Sequence, residues 1–338
     1  MTGNLGYVGT EAAFYLNSKG YTVYGIDSGF YKDCNLVPIL TEVPTILKDI
    51  RDLEISDFED FDAVIHLAAL SNDPIGELDE NLTHEINYKA AVRTAELAKK
   101  ASVKRFIFAS TQSLYGIAQN DSELDEDNSI KNPQTAYAKS KLSAENEILS
   151  MSNSNFVSTS LRPSTVFGWG IRLRSDILYN NLILNGLMHK KIDIHSDGTP
   201  WRPIVHLSDM CEAIEISLRA APEVISGESF NIGVIGGNFT VKQLATAAQS
   251  ALNGIPIKLN TENISDPRSY KVSFAKAEKF LNFRAKTHLE LGGSELISQS
   301  LKLIDQGMDL LGRKTNRLAQ MKFLIKEGLL DDTLRFKK

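Results

Sequence analysis

The octapeptide Thr2-Gly3-Asn4-Leu5-Gly6-Tyr7-Val8-Gly9 constrains this chain more than any other stretch. Its glycines open onto a helix-period segment, Gly6 to Ser18, that stops at Gly20. Missing side chains let the backbone approach a diphosphate, and the unpaired N–H groups of a helix's first turn face its charge. Glycines also mark ordinary tight turns, so this spacing alone is weak. Asp27 strengthens it: ending the next strand, its carboxylate suits a ribose 2'-hydroxyl and repels a 2'-phosphate. The cofactor expected is therefore NAD in preference to NADP. Asp49 and Ile50 after a third short strand, and Leu67, Ala68 and Ala69 after the fourth, are placed to contact adenine and to let the dinucleotide lie close.

Apolar runs rich in β-branched residues alternate with helix-period segments through the first half. Tyr21 to Asp27, Asp62 to Ala68, Lys104 to Ala109 and Phe156 to Leu161 read as buried parallel strands. Ile86 to Ala101 and Thr135 to Ser152 read as helices between them. The fold class is α/β, a Rossmann-type doubly wound sheet over residues 1–161 with a returning segment near 202–221. From Arg162 the strands shorten (Ile192 to His195, Pro203 to His206, Ser229 to Gly233), which points to a smaller α/β substrate lobe over 162–312. A tail, 313–338, holds a helix from Asn316 to Glu327 expected to pack on the lobe as a lid or to bind a partner. Only Met1 precedes Thr2, so the first strand of the sheet is missing and a slot is expected between the second and fourth strands. The natural chain is expected to start upstream.

With 338 residues, 42% hydrophobic and 23% charged, the composition is that of a soluble globular protein. A net charge of -5 gives no basic footprint for nucleic acid. Cys34 and Cys211 make no disulfide framework, and the six histidines never fall at a helical ligand spacing, so no metal is expected. No apolar run approaches the roughly 20 residues of a membrane span, and no signal pattern opens the chain. A cytoplasmic protein with no membrane partner is the expectation, which leaves the sequon at Asn81 silent.

Tyr137 and Lys141 stand four apart on one helix face. A free phenol has a pKa of about 10, and a neighbouring ammonium stabilises its phenolate. Tyr15 and Lys19 match the same spacing, but they lie behind the glycine loop, whereas Tyr137 follows the fifth strand's turn. The third member comes from the carboxyl end of the strand Lys104 to Ala109, where Thr111 offers a hydroxyl to a reacting oxygen. A Ser/Thr turn after a strand is the plainer alternative.

Taken together, TGNLGYVG, Asp27, HLAAL (66–70), STQSLYG (110–116), YAKSK (137–141), LRPSTVFG (161–168) and GTPWRPIVHLSDM (198–210) resemble the extended short-chain dehydrogenase/reductases, in the NAD-dependent epimerase/dehydratase group acting on nucleotide sugars. The resemblance covers nearly the whole chain. It implies that Asn87 shapes the active-site helix, that Arg202 and Arg268 hold a nucleotide diphosphate, and that the protein is a homodimer through the helices Ile86 to Ala101 and Thr135 to Ser152. Without the resemblance, a surface ion pair is the favoured reading of either arginine.

Dehydratases of the group carry Asp-Glu after the threonine. Here Gln112 and Ser113 stand there, and neither an amide nor a hydroxyl performs that acid and base work at neutral pH. The chain is similar to UDP-glucose 4-epimerase in needing only Tyr, Lys, a hydroxyl and held NAD. An epimerase working through a transient keto sugar is expected. The alternatives are a nucleotide-sugar dehydrogenase or 4-keto reductase, and a non-catalytic NAD-binding regulator. Thr165 replaces an asparagine common in relatives. With Trp169, Arg172, Arg174 and Asn181 it marks the segment that selects the sugar or nucleotide, and Trp201 either stacks on a base or sits in the core.

Overall fold

The computed structural model describes residues 1–39, 43–71, 76, 79–259 and 268–337. A parallel sheet runs β2 (Thr45–Leu47), β1 (Gly25–Asp27), residues 1–3, β3 (Ala63–His66), β4 (Arg105–Ala109), β5 (Val157–Pro163) and β6 (Ser229–Ile232). The slot expected to lie open is closed by Met1–Gly3. Thr2 bridges Ile26 on one side and His66 on the other. The Thr2 N–H donates to Ile65 O at 2.9 Å and the Gly3 N–H to Ile26 O at 2.8 Å. Buried backbone groups on both flanks are thereby satisfied, as burial requires.

Both faces of the sheet are covered, so Phe106, Ile107 and Phe108 of β4 are all buried. On β4, Phe106 and Phe108 enter one core with the helices α2 (Ala91–Lys100) and α3 (Ala136–Ser150), while Ile107 between them faces α1 (Tyr7–Ser18) and α5 (Leu207–Arg219). The helices α4 (Leu178–His189), α6 (Val241–Ala251) and α7 (Leu289–Ile304) surround a second core, which Tyr7 of α1 and Leu207 of α5 also enter. A three-stranded sheet orders Asn238–Thr240, Trp201–His206 and Thr165–Phe167. Among the described residues, no helix is long and apolar enough to cross a membrane.

Four sequence expectations are corrected. The strand read from Tyr21 contracts to Gly25–Asp27, because its neighbours begin only at Thr45 and Met1 and earlier residues find no ladder. Ser229–Ile232, read as lobe, is fully buried and pairs with β5 at the sheet edge. The helix read from Ile86 starts at Glu80, where Asp79 caps the Leu82 N–H at 2.9 Å, and it carries a π turn over Glu85–Ala90 before α2. The tail helix α8 (Arg317–Lys326) packs its apolar side chains on the sheet domain, while Arg317 at its start reaches the lobe segment at the Arg172 carbonyl. Its Met321 and Leu324 join Ile50, Phe58 and Ile86 in one core.

Candidate active site

One cavity at the carboxyl edge of the sheet gathers Gly3, Gly6, Tyr7, Val8, Gly9, Asp27, Asp49, Ile50, Leu67, Ala68 and Ala69. Gly3 has φ +76°, and a Cβ there would stand 2.6 Å from the Ala68 nitrogen; one on Gly9 would stand 2.1 Å from the Gly3 oxygen. At Gly6 a Cβ would meet only the Gly3 oxygen, at 3.2 Å, so that glycine keeps open the floor of the cavity. No side chain caps α1 at Gly6, which leaves first-turn N–H groups for an anion. The residues present therefore fit a dinucleotide diphosphate. Tyr7 serves through its backbone: its hydroxyl points the other way and donates to Gly168 O at 2.7 Å, tying α1 to the lobe.

Asp27 is buried and accepts the N–H groups of Leu5 (3.0 Å) and Gly29 (2.8 Å), one on each oxygen. Burial pushes its carboxyl up, and these two bonds oppose that shift. Each oxygen retains a lone pair for a diol. Asp49 faces the same cavity, but its carboxylate is engaged by Arg51 through Nε at 3.0 Å and Nη2 at 2.7 Å. From the π turn Asn87 clamps the loop after β3, accepting the Leu70 N–H at 2.8 Å and donating to Leu70 O at 3.1 Å. One extra residue in that helical turn is what aims it there.

The Thr135 hydroxyl caps α3 by accepting the Ala138 N–H at 3.2 Å, and this start sets Tyr137 and Lys141 one turn apart. Lys141 is buried with its Nζ 4.4 Å from the centre of the Phe108 ring. Desolvation brings its ammonium down to about 7, although Glu145 on the next turn of α3 pulls upward. Glu145 is itself paired with buried Arg162, Nη2 to Oε1 at 2.5 Å, and Arg162 also donates to the Tyr115 hydroxyl at 3.1 Å. Beneath the pair, His66 stacks between Phe106 and Phe108 and is held neutral, its pKa lowered to about 3 by burial first and then by Lys141. Tyr15 lies under Lys19 in a cation–π contact.

Thr111 lies two residues after β4, where it caps the short helix Gln112–Tyr115 by accepting the Ser113 N–H at 3.1 Å, which leaves its hydroxyl proton free to donate. Gln112 is buried. Its amide donates to Arg162 O at 2.9 Å and its oxygen accepts from Ser164 at 3.1 Å. Arg202 and Arg268 do come together: Arg202 Nη1 donates to the Arg268 carbonyl, and Arg268 Nη1 donates to the Ser113 hydroxyl at 3.3 Å. Asn181 donates to Ser175 O at 2.8 Å, and Thr165 is half-buried in its short strand. Trp201 lies under the Lys271 ammonium, 4.4 Å from one of its rings. The cavity wall further includes Phe30, Tyr31, Ser71, Arg174 and Arg317, which sequence reasoning did not place there.

The model of the NAD dependent epimerase/dehydratase family matches residues 1–233. The chain belongs to the NAD-dependent epimerase/dehydratase family. An uncharacterized UDP-glucose epimerase, YtcB of Bacillus subtilis, is 28% identical over 86% of this chain and 94% of its own length. A dTDP-D-glucose 4,6-dehydratase of Dictyostelium discoideum is 29% identical over 73% of this chain and 60% of its own. Among solved structures, MoeE5 in complex with UDP-glucuronic acid and NAD is similar at 26% identity and a TM-score of 0.77, covering 91% of this chain and 98% of its own. Family membership makes NAD the cofactor, and it brings epimerases and dehydratases alike into the comparison.

Proposed function

We propose that the chain is a nucleotide-sugar epimerase working through a transient keto sugar. The observation that carries this reading is Gln112, whose amide is spent on Arg162 O and Ser164. Dehydration needs an acid for the departing hydroxyl and a base for the neighbouring carbon, and the two positions after Thr111 supply neither.

Bound NAD supplies a hydride acceptor that returns the hydride later, so no net redox change results. Gly3, Gly6, Val8 and Gly9 would hold its diphosphate on bare backbone, Asp27 its adenosine ribose, and Asp49 and Ile50 its adenine end. Leu67, Ala68 and Ala69, braced through Leu70 by Asn87, let it lie close to β3. Tyr137 takes the proton of the sugar hydroxyl as oxidation proceeds and restores it after the keto sugar has turned over. A buried ammonium at Lys141 stabilises the phenolate in surroundings of low dielectric. The Thr111 hydroxyl donates to the same sugar oxygen.

Arg202 and Arg268 offer two guanidinium forks at the Ser113 end of the site, suited to a nucleotide diphosphate. Thr165 and Asn181 extend this surface toward the sugar. A homodimer through the helices at 86–101 and 135–152, in the cytoplasm, belongs to the same reading. Incubation with UDP-, GDP-, CDP- and dTDP-sugars tests it: an epimeric product without accumulating NADH supports the epimerase. Steady NADH formation, or reduction of a 4-keto sugar by added NADH, replaces it with the oxidoreductase.

A further inference from the structure

Two arginines reach the coenzyme cavity from outside the sheet domain's own motifs. Arg317 opens the tail helix α8, and Arg174 lies in the segment that enters α4. Their electrostatic surroundings differ. Arg174 is paired with Asp176 through Nε and Nη2, both at 2.9 Å, and it reaches the Ser71 hydroxyl at 3.2 Å. Arg317 is 1% exposed and donates to the carbonyls of Arg172 at 2.5 Å and Lys314 at 3.2 Å. Among the described residues it makes no ion pair with a carboxylate. Asp176 is taken up by Arg174, and Asp27, the other carboxylate acting on Arg317, makes no ion pair with it; a buried cation without an ion-pair partner is costly until an anion meets it.

The tail that carries Arg317 is fixed over the same cavity. Gln320 donates to Phe30 O at 3.0 Å, the Phe336 ring lies 5.9 Å from that of Phe30, and Leu330 and Leu334 are buried in the sheet-domain core. Arg317 lies over the Tyr31 ring at 4.6 Å, with Tyr31 in the cavity wall.

We propose that Arg317 and Arg174 clamp the diphosphate of the bound coenzyme from the side opposite the glycine loop, so that the C-terminal tail forms one wall of the NAD site. This rests on the reading of the cavity as the NAD site. The diphosphate supplies the negative charge that Arg317 lacks, and the planar fork of a guanidinium suits phosphate oxygens. Burial and the neighbouring Arg174 both push the Arg317 pKa down, which agrees with a cation awaiting its counter-charge.

The test is calorimetric titration of nucleotide-stripped protein with NAD, ADP and adenosine, alongside thermal melting of the stripped form. Arg317→Met should weaken NAD and ADP by about tenfold or more and leave adenosine unchanged, while the melting temperature of the stripped protein falls modestly because the carbonyls of Arg172 and Lys314 lose their donor. Arg317→Lys should fall between. The paired exchange Arg174→Gln with Asp176→Asn should show the same selective loss, and it keeps the test open should Arg317→Met not fold. Wild-type affinity for NAD in both variants overturns the clamp, as does an equal loss for adenosine, which would mark a role in pocket shape alone. A wild-type protein that does not bind NAD overturns the reading of the cavity instead.

Discussion

The Gln112 carboxamide donates to the carbonyl oxygen of Arg162 at 2.9 Å, tying the turn after β4 to the end of β5. A side chain in the position where elimination chemistry would need a carboxyl group is thereby part of the structural frame.

Replacing Gln112 by Ala leaves the Arg162 carbonyl and the Ser164 hydroxyl without this partner. The expected loss of stability is about 1–3 kcal/mol, read from urea unfolding. The double exchange Gln112→Asp with Ser113→Glu should yield no elimination product, because the first of these side chains points into the frame. Unchanged stability in Gln112→Ala would contradict the role described.

The three glycines separate by mechanism. Gly9→Ala drives a Cβ to within 2.1 Å of the Gly3 oxygen and should lower the melting temperature of the coenzyme-free protein. Gly6→Ala meets only one atom, at 3.2 Å, and should leave that melting temperature nearly unchanged while weakening NAD. Equal losses of stability in the two variants would show that Gly6 is needed for packing.

Lys141 gives a pH signature. Burial brings its amine down to about 7 in the folded protein against 10.5 for the free side chain, so the unfolded chain binds more protons between these limits. Its contribution to stability therefore rises with pH through that window and is flat below it, where both states are protonated. The stability difference between wild type and Lys141→Met, measured without coenzyme by denaturant unfolding, should grow in favour of wild type from neutral to alkaline pH. A constant difference would contradict the buried amine.

Much of this arrangement was legible in the sequence because its determinants are local. The glycine loop, the Thr135 cap and the alternation of Phe106, Ile107 and Phe108 each follow from residue type at short spacing. The Tyr137/Lys141 pair needed only helical periodicity. Arg174 and Arg317 were not assigned to the NAD cavity because their wall is assembled from segments far apart in the chain, and an arginine in a helix start carries no mark of what it will face. The π turn that aims Asn87 at Leu70 was missed because one extra residue hardly disturbs a helical pattern. The edge position of Ser229–Ile232 depends on a return across the sheet that no local signal records.

Tyr137→Phe removes the proton carrier and leaves the ring. Turnover should fall by about 10²–10⁴-fold, while NAD binding, measured by calorimetry, stays at the wild-type level. Full activity in this variant would remove Tyr137 from the chemistry.

The central claim is that hydrogen leaves a sugar carbon and comes back to that carbon without passing through solvent. Mass spectrometry of the epimer formed in deuterium oxide, after hydroxyl deuterons are washed back in ordinary water, tests it most directly. The predicted result is an epimer of unchanged mass; one deuterium fixed at the inverted carbon would contradict the account.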